Sequence, residues 1–225
     1  MNYRWLTVKR RLLGSRHLEQ PFAELIRHPG PPPRTAFKAA EIVSLDIETT
    51  GLDANTAEML SVGWVLIRDG KIALSSACDY IVRPSGDVGS SASVHGLTDT
   101  LVGLGHDWTV ILGKIVEILT GRVLLVHHAG LDKALLDRMC KKRFGSRLLV
   151  PVVDTLALEH RRQQRRHHIG DKKSLRLAEL RASYGLPRYD AHDCLVDAIA
   201  TAELLIAMVA HNGGPEKTEL RDLCA

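Results

Sequence analysis

Two acids sit two residues apart in the apolar stretch Ile42-Val43-Ser44-Leu45-Asp46-Ile47-Glu48, which runs on through Thr49 and Thr50 to Gly51 and Leu52. On a strand, Asp46 and Glu48 project from one face. Burying a pair of carboxylates without a counter-charge is costly. A bound cation offsets that cost, and two oxygen ligands on one rigid strand suit a hard divalent ion such as Mg²⁺ or Mn²⁺. Three later residues can join them. Asp132 follows the apolar run Val123–Val126 and stands at the start of a helical pattern, where a capping role and a ligand role are both open. Asp197 lies on the apolar stripe of Leu195, Ile199 and Leu204, where an acid has no structural reason to be. His192 precedes it by five positions at the entry to the same helix, from which an imidazole can reach the same cleft. Asp193 reads as a helix cap.

The elements that must position these residues are legible from periodicity. Strands are expected over 42–47, 59–67 and 71–82, the last two joined by a hairpin at Arg68-Asp69-Gly70. Helical spacing covers Trp108 to Leu119 and stops at Gly121. A short buried strand at 123–126, a helix at 131–143, a strand at 150–153 and a helix from Thr155 follow, then helices at 175–184 and 191–210. Three antiparallel strands followed by helical crossovers define an α/β fold with a mixed sheet flanked by helices.

The 225 residues suffice for one well-buried domain and an extension. Cys78, Cys140, Cys194 and Cys224 form no C-x-x-C pair, which argues against a disulfide framework or a thiolate zinc site and fits a reducing, cytoplasmic setting. The apolar run near 198–210 is interrupted by Glu203 and reads as too short to span a bilayer, so no membrane is expected. Residues 1–38 read as a basic extension ending in a Pro-rich hinge, 39–212 as the domain that carries the acids, and 213–225 as a short tail. Residues 1–40 carry a charge of +6. Such an arm suits a polyanion, a polymerase or other protein partner, or simple solubility. The run His160–His168, with Lys172 and Lys173 beyond, suits phosphate tracking along a single strand, or a solvated helix end.

The ordered motifs resemble the DEDDh family of 3′→5′ exonucleases. Asp46-Ile47-Glu48-Thr49-Thr50-Gly51-Leu52 matches the first motif, D-x-E-T/A-T-G-L. His127-His128-Ala129-Gly130-Leu131-Asp132 matches the second, with His128 where Asn is usual and Leu131 where Phe is frequent. His192 to Ala198 matches the third, and Val94-His95-Gly96-Leu97-Thr98 a subsidiary element of the proofreading branch. The resemblance covers about residues 41–210 and implies a ribonuclease-H-like fold. It further implies two divalent ions, Mg²⁺ or Mn²⁺, held by Asp46, Glu48, Asp132 and Asp197, with Asp46 bridging and His192 as general base. The substrate implied is the 3′ end of single-stranded nucleic acid, DNA favoured, with nucleoside 5′-monophosphates released. Gly51 is expected to allow a sharp turn that brings backbone to the terminal nucleotide. Thr49 or Thr50 would lie near its 3′-OH and Leu52 against its base, although Leu52 equally suits core packing. His95 would contact the same nucleotide or serve as a loop hydrogen-bonder. Two competing readings are an exoribonuclease or oligoribonuclease on the same site, and a non-catalytic nucleic-acid-binding module.

Overall fold

A computed structural model describes residues 3–14, 17–84, 103–165, 174–189 and 193–224. His95 and His192 fall outside the described residues, as do 166–168 and Lys172 and Lys173 of the basic run. Helices α1 (Tyr3–Gly14) and α2 (Phe22–Arg27) precede strands β1 (Ile42–Thr49), β2 (Met59–Arg68), β3 (Lys71–Arg83) and the short β4 (His106–Asp107). Helix α3 (Trp108–Leu119), β5 (Val123–Val126), α4 (Asp132–Phe144), β6 (Val152–Asp154) and α5 (Thr155–Arg165) alternate. Helices α6 (Leu177–Ser183), α7 (Cys194–His211) and α8 (Leu220–Leu223) complete the chain.

The sheet order is β4-β3-β2-β1-β5-β6, with β1, β2 and β3 antiparallel and β5 and β6 parallel to β1. The β2–β3 hairpin turns at Asp69 and Gly70, both at positive φ (52° and 70°), the conformation an Asp-Gly pair favours in a two-residue hairpin. Alternation along β1 divides its side chains between two cores. Val43, Leu45 and Ile47 face a cluster with α2, α3 and α4, whereas Ile42 joins the cluster under α7 and α8. Ser44, Asp46 and Glu48 share parity with Ile42, so the two acids point to the side that α7 covers.

Helix α7 is long and apolar enough to cross a bilayer, but half of it is buried inside the protein. Its packing on β1 and β2, rather than its length, marks it as a core helix.

The expected division at residue 38 is not a seam in the packing. Phe22, Leu25 and Ile26 of α2 are buried in the same cluster as β1 and α3. Phe22 stacks on Phe144 with ring centroids 4.9 Å apart, and the Glu19 carboxylate meets Arg143 at 2.5 Å. Phe37 is buried in the cluster under α7. The tail is likewise part of the body: Leu220 and Leu223 are buried there, and Phe37 N–H donates to Thr218 O at 2.8 Å. Burial of one large apolar side chain contributes about 1.5–3 kcal/mol. Phe22, Leu25, Ile26 and Phe37 together then approach the whole stability of a typical domain, about 5–15 kcal/mol. Deleting residues 1–38 is therefore expected to give an unfolded or insoluble protein. A cooperative thermal transition in the soluble truncated chain, within a few degrees of the full chain's, would show the packing to be dispensable.

Candidate active site

Three contacts seat α7 on the strands that carry the acids. Gly63 of β2, which pairs with Asp46 in the register, lies directly beneath the start of α7. A Cβ at Gly63 would stand 2.4 Å from Leu195 N and 2.6 Å from Cys194 C. The Ser44 hydroxyl donates to Ala198 O at 2.7 Å, and the Cys194 thiol donates to the Asp79 carboxylate at 3.2 Å. The helix start is thus fixed against β1, β2 and β3 together. Asp193 is its cap, accepting from Leu195 N and Val196 N, both at 3.0 Å.

The consequence is a cluster of carboxylates. One ligand oxygen from each of Asp46, Glu48 and Asp197 lies within 4.8 Å of the others. Asp132 stands outside this trio but close enough to act on it: burial, then Asp132, Asp197 and Glu48, push the Asp46 carboxyl well above the usual range. Burial and the charge of Glu48 push Asp132 up to about 8. The Asp132 side chain is no cap, because Leu131 occupies the cap position and no side chain caps the helix there. A β-bulge between Glu48 and Thr49 ends the regular pairing of β1 beside these acids, as bulges do where a side chain must be re-aimed. Mutually repelling carboxylate oxygens, buried in Glu48 and half-buried in Asp46 and Asp197, are the donor type a hard divalent cation takes. Asp46, Glu48 and Asp197 would hold such an ion, and Asp132 lies near enough to shift the Asp46 carboxyl.

These shifts set a pH dependence for the metal-free protein. A carboxyl whose folded pKa lies above its unfolded value of 3.8 binds more protons folded than unfolded between the two. Stability then falls as pH rises through that window. The melting temperature in EDTA is expected to drop from pH 5 to pH 8.5, and excess Mg²⁺ to restore it most at the alkaline end, as a ligand of the folded state does. A metal-free melting temperature that is flat or rises across this range would contradict the coupling of the acids.

Asp154 is a residue that sequence reasoning missed. Its carboxylate accepts from His128 N at 3.1 Å and Ala129 N at 2.9 Å, and also from Leu156 N at 3.0 Å. It ties the loop leading to Asp132 to the start of α5. An Asp at a strand end just before a helical run was the available signal. His128 sits at φ 79°, in the left-handed region where Asn and His are both over-represented, so His in place of Asn keeps the loop's backbone shape. His127 Nε2 donates to Leu175 O at 2.9 Å, leaving Nδ1 to accept from the Thr155 hydroxyl at 2.7 Å. Burial lowers its pKa, which favours the neutral imidazole.

The turn after β1 differs from expectation in one respect. Gly51 is absent from the positive-φ glycines and a Cβ there would meet nothing, so the turn itself does not require glycine. The turn is held instead by the Thr49 hydroxyl donating to Gly51 O at 2.7 Å and by Glu58 N–H donating to Thr50 Oγ1 at 2.9 Å. Leu52 is 91% exposed, which removes the core-packing alternative for it. Beside the turn opens a cleft of about 560 Å³, counting its open mouth, between Glu58, Met59, Trp108 and the α4 residues Leu135, Arg138 and Lys142. Arg138 donates to Asn55 O at 2.8 Å and to Ala57 O, pinning the loop that follows Leu52.

A mixed sheet with three antiparallel strands, helices on both faces and a carboxylate cluster where β1 meets α7 defines a ribonuclease-H-like nuclease scaffold. The family model RNase_T, described as Exonuclease, matches residues 43–205, and the chain belongs to that family. Among curated relatives, the DNA polymerase III PolC-type protein of Caldanaerobacter subterraneus subsp. tengcongensis is 31% identical over 170 residues, 75% of this chain and 12% of that protein. The PolC-type protein of Thermotoga petrophila is 28% identical over 78% of this chain and 12% of its own length. The DNA polymerase III subunit epsilon-like protein of Rhodobacter capsulatus is 27% identical over 78% of this chain and 24% of its own. The chain thus spans only about an eighth of the PolC-type relatives. In fold it is similar to E. coli exonuclease I in complex with a dT13 oligonucleotide, with a TM-score of 0.63 at 14% identity over 77% of this chain and 42% of that one. Cell-death related nuclease 4 gives a TM-score of 0.61 at 14% identity over 77% and 65%.

Proposed function

We propose that this protein is a metal-dependent 3′→5′ exonuclease that removes nucleoside 5′-monophosphates from single-stranded nucleic acid, DNA favoured. The observation that carries the reading is the carboxylate cluster of Asp46, Glu48 and Asp197, with Asp132 coupled to it, on an exonuclease-family fold. Two bound Mg²⁺ or Mn²⁺ ions would supply positive charge where the phosphate gains negative charge in the transition state. Asp46, Glu48, Asp132 and Asp197 hold that charge in place. His192 takes the proton of the attacking water, as an imidazole titrating near neutrality can. The exposed Leu52 presents an apolar surface to the terminal base. Thr49 and Thr50 fix the turn that carries Leu52, and His95 contacts the terminal nucleotide.

The oligonucleotide held by exonuclease I supports a single-stranded DNA substrate here. The basic and aromatic lining of the cleft beside the turn, Arg138, Lys142 and Trp108, supports a polyanion with stacking bases. Similarity to PolC-type and epsilon-like proteins supports a polymerase partner, and the cysteine pattern a cytoplasmic location.

The test is product analysis on 5′-labelled single-stranded DNA and RNA of equal length, with Mg²⁺, Mn²⁺ or EDTA. The expected result is a ladder shortening from the 3′ end, mononucleotide product, no reaction in EDTA, and faster loss of DNA. Cleavage of a circular single strand would rule out the exonuclease reading.

A further inference from the structure

The far end of α7 borders a second basic recess. His211, the last residue of α7, lies fourteen positions beyond Asp197, or about 21 Å along the helix axis. Between this end and α5 lies a concavity of about 950 Å³, counting its open mouth. Leu158, Met208 and Leu223 give it apolar lining, while Arg161, Arg162 and Arg165 supply cationic groups.

The charges are not balanced within the recess. Three arginines line it against two acids, Glu159 and Asp222. Glu159 accepts from the Tyr184 hydroxyl at 2.8 Å and lies 3.5 Å from Arg162. Asp222 accepts from Glu219 N at 3.0 Å. Arg162 is committed to this group as well, lying 5.4 Å over the Tyr184 ring. Arg161 uses one nitrogen on Leu223 O at 3.3 Å, which neutralises no charge. Arg165 is exposed and has no hydrogen bond or ion pair among the described residues. Arg161 and Arg165 thus have no ion pair among the described residues, beside a lining that includes the largely buried Met208 and Leu223. Guanidinium forks suit phosphate oxygens, and an apolar floor suits a flat heterocycle.

We propose that the recess between α5 and α7 is a second nucleotide-binding site, with the base on Leu158, Met208 and Leu223 and the phosphate on Arg161 and Arg165. The nucleotide comes either as a free nucleoside monophosphate or as one unit of a single strand. The strand source rests on the nuclease reading above; the free source does not.

The experiment measures binding in EDTA, where the catalytic carboxylates carry no ion and repel phosphate. dAMP is titrated calorimetrically into the wild type, Asp46→Asn, Arg165→Ala and the double variant Arg161→Glu/Arg165→Glu. A fluorescein-labelled oligo-dT is titrated by anisotropy across a salt series. The exposed Arg165→Ala change keeps the test valid if the double variant misfolds. Binding of dAMP in wild type and Asp46→Asn, weakened at least tenfold in the Arg variants, supports the site for free nucleotide. Absent dAMP binding with weaker oligo-dT binding, and a salt slope shallower by about 0.7 per lost phosphate contact, supports it as a strand contact. Unchanged oligo-dT binding in the Arg variants, with dAMP binding absent or equally unchanged, overturns the proposal. Failure of the nuclease reading shows separately, as wild-type protein that shortens no strand in Mg²⁺.

Discussion

Asp46→Asn and Asp132→Asn are each expected to reduce turnover by 10²-fold or more while leaving the metal-free protein at least as stable as wild type. The activity loss follows from charge. Removing one preorganised group that stabilises transition-state charge costs roughly 10²–10³-fold in kcat, and here the group lost also holds the ion. The stability gain follows from burial. Both carboxyls are pushed up by burial and by neighbouring acids, so ionising them near neutral pH opposes folding. An amide of the same shape removes that opposition. Two measurements check this together: single-turnover cleavage in saturating Mg²⁺, and melting temperature in EDTA at pH 8. The variants should also lose much of the rise in melting temperature that Mg²⁺ gives the wild type. Near-wild-type turnover in either variant would remove that residue from the ion-holding set. A lower metal-free melting temperature would mean that the carboxylate has a structural partner.

The residues of the candidate site were legible because their types conflict with their surroundings. Asp46, Glu48 and Asp197 are acids in apolar runs, and a run's periodicity does not depend on what lies far away in the chain. For the same reason α3 has the bounds its spacing predicts, Trp108 to Leu119, and the Asp69-Gly70 turn is a hairpin. What was not legible depends on contacts between distant segments. Helix α2 is only six residues long, and its buried Phe22, Leu25 and Ile26 lie between a charged stretch and a proline-rich one. That composition reads as an extension, and only the presence of Phe144 and α3 beside it makes it core. The tail is similar: Leu220 and Leu223 gain meaning from Phe37, more than 180 residues earlier. Gly51 shows the opposite error. A glycine after a strand suggests a turn that needs it, whereas the hydroxyls of Thr49 and Thr50 hold this one.

Gly63→Ala is the sharpest test of how the site is assembled, because Gly63 has no side chain to offer substrate or ion. A glycine inside an apolar strand signals a close backbone approach, without saying by what. Here the approaching group is the start of α7, and the added methyl would lie within 2.6 Å of three of its backbone atoms. A side-chain tip could swing aside, but helix backbone cannot. The start of α7 is also held by Ser44 on one side and Asp79 on the other. The helix must lift or slide along β2, carrying Asp197 away from Asp46 and Glu48. Overpacking of this kind costs about 1–3 kcal/mol of stability, which leaves a typical domain folded. A displacement near 1 Å in a catalytic constellation can cost about 10²-fold in rate. The expected outcome is a folded protein with kcat down by about that factor and a higher Mg²⁺ concentration at half-maximal activity. Gly63→Ala with wild-type kcat and unchanged Mg²⁺ dependence would show that α7 can yield at this contact without moving Asp197.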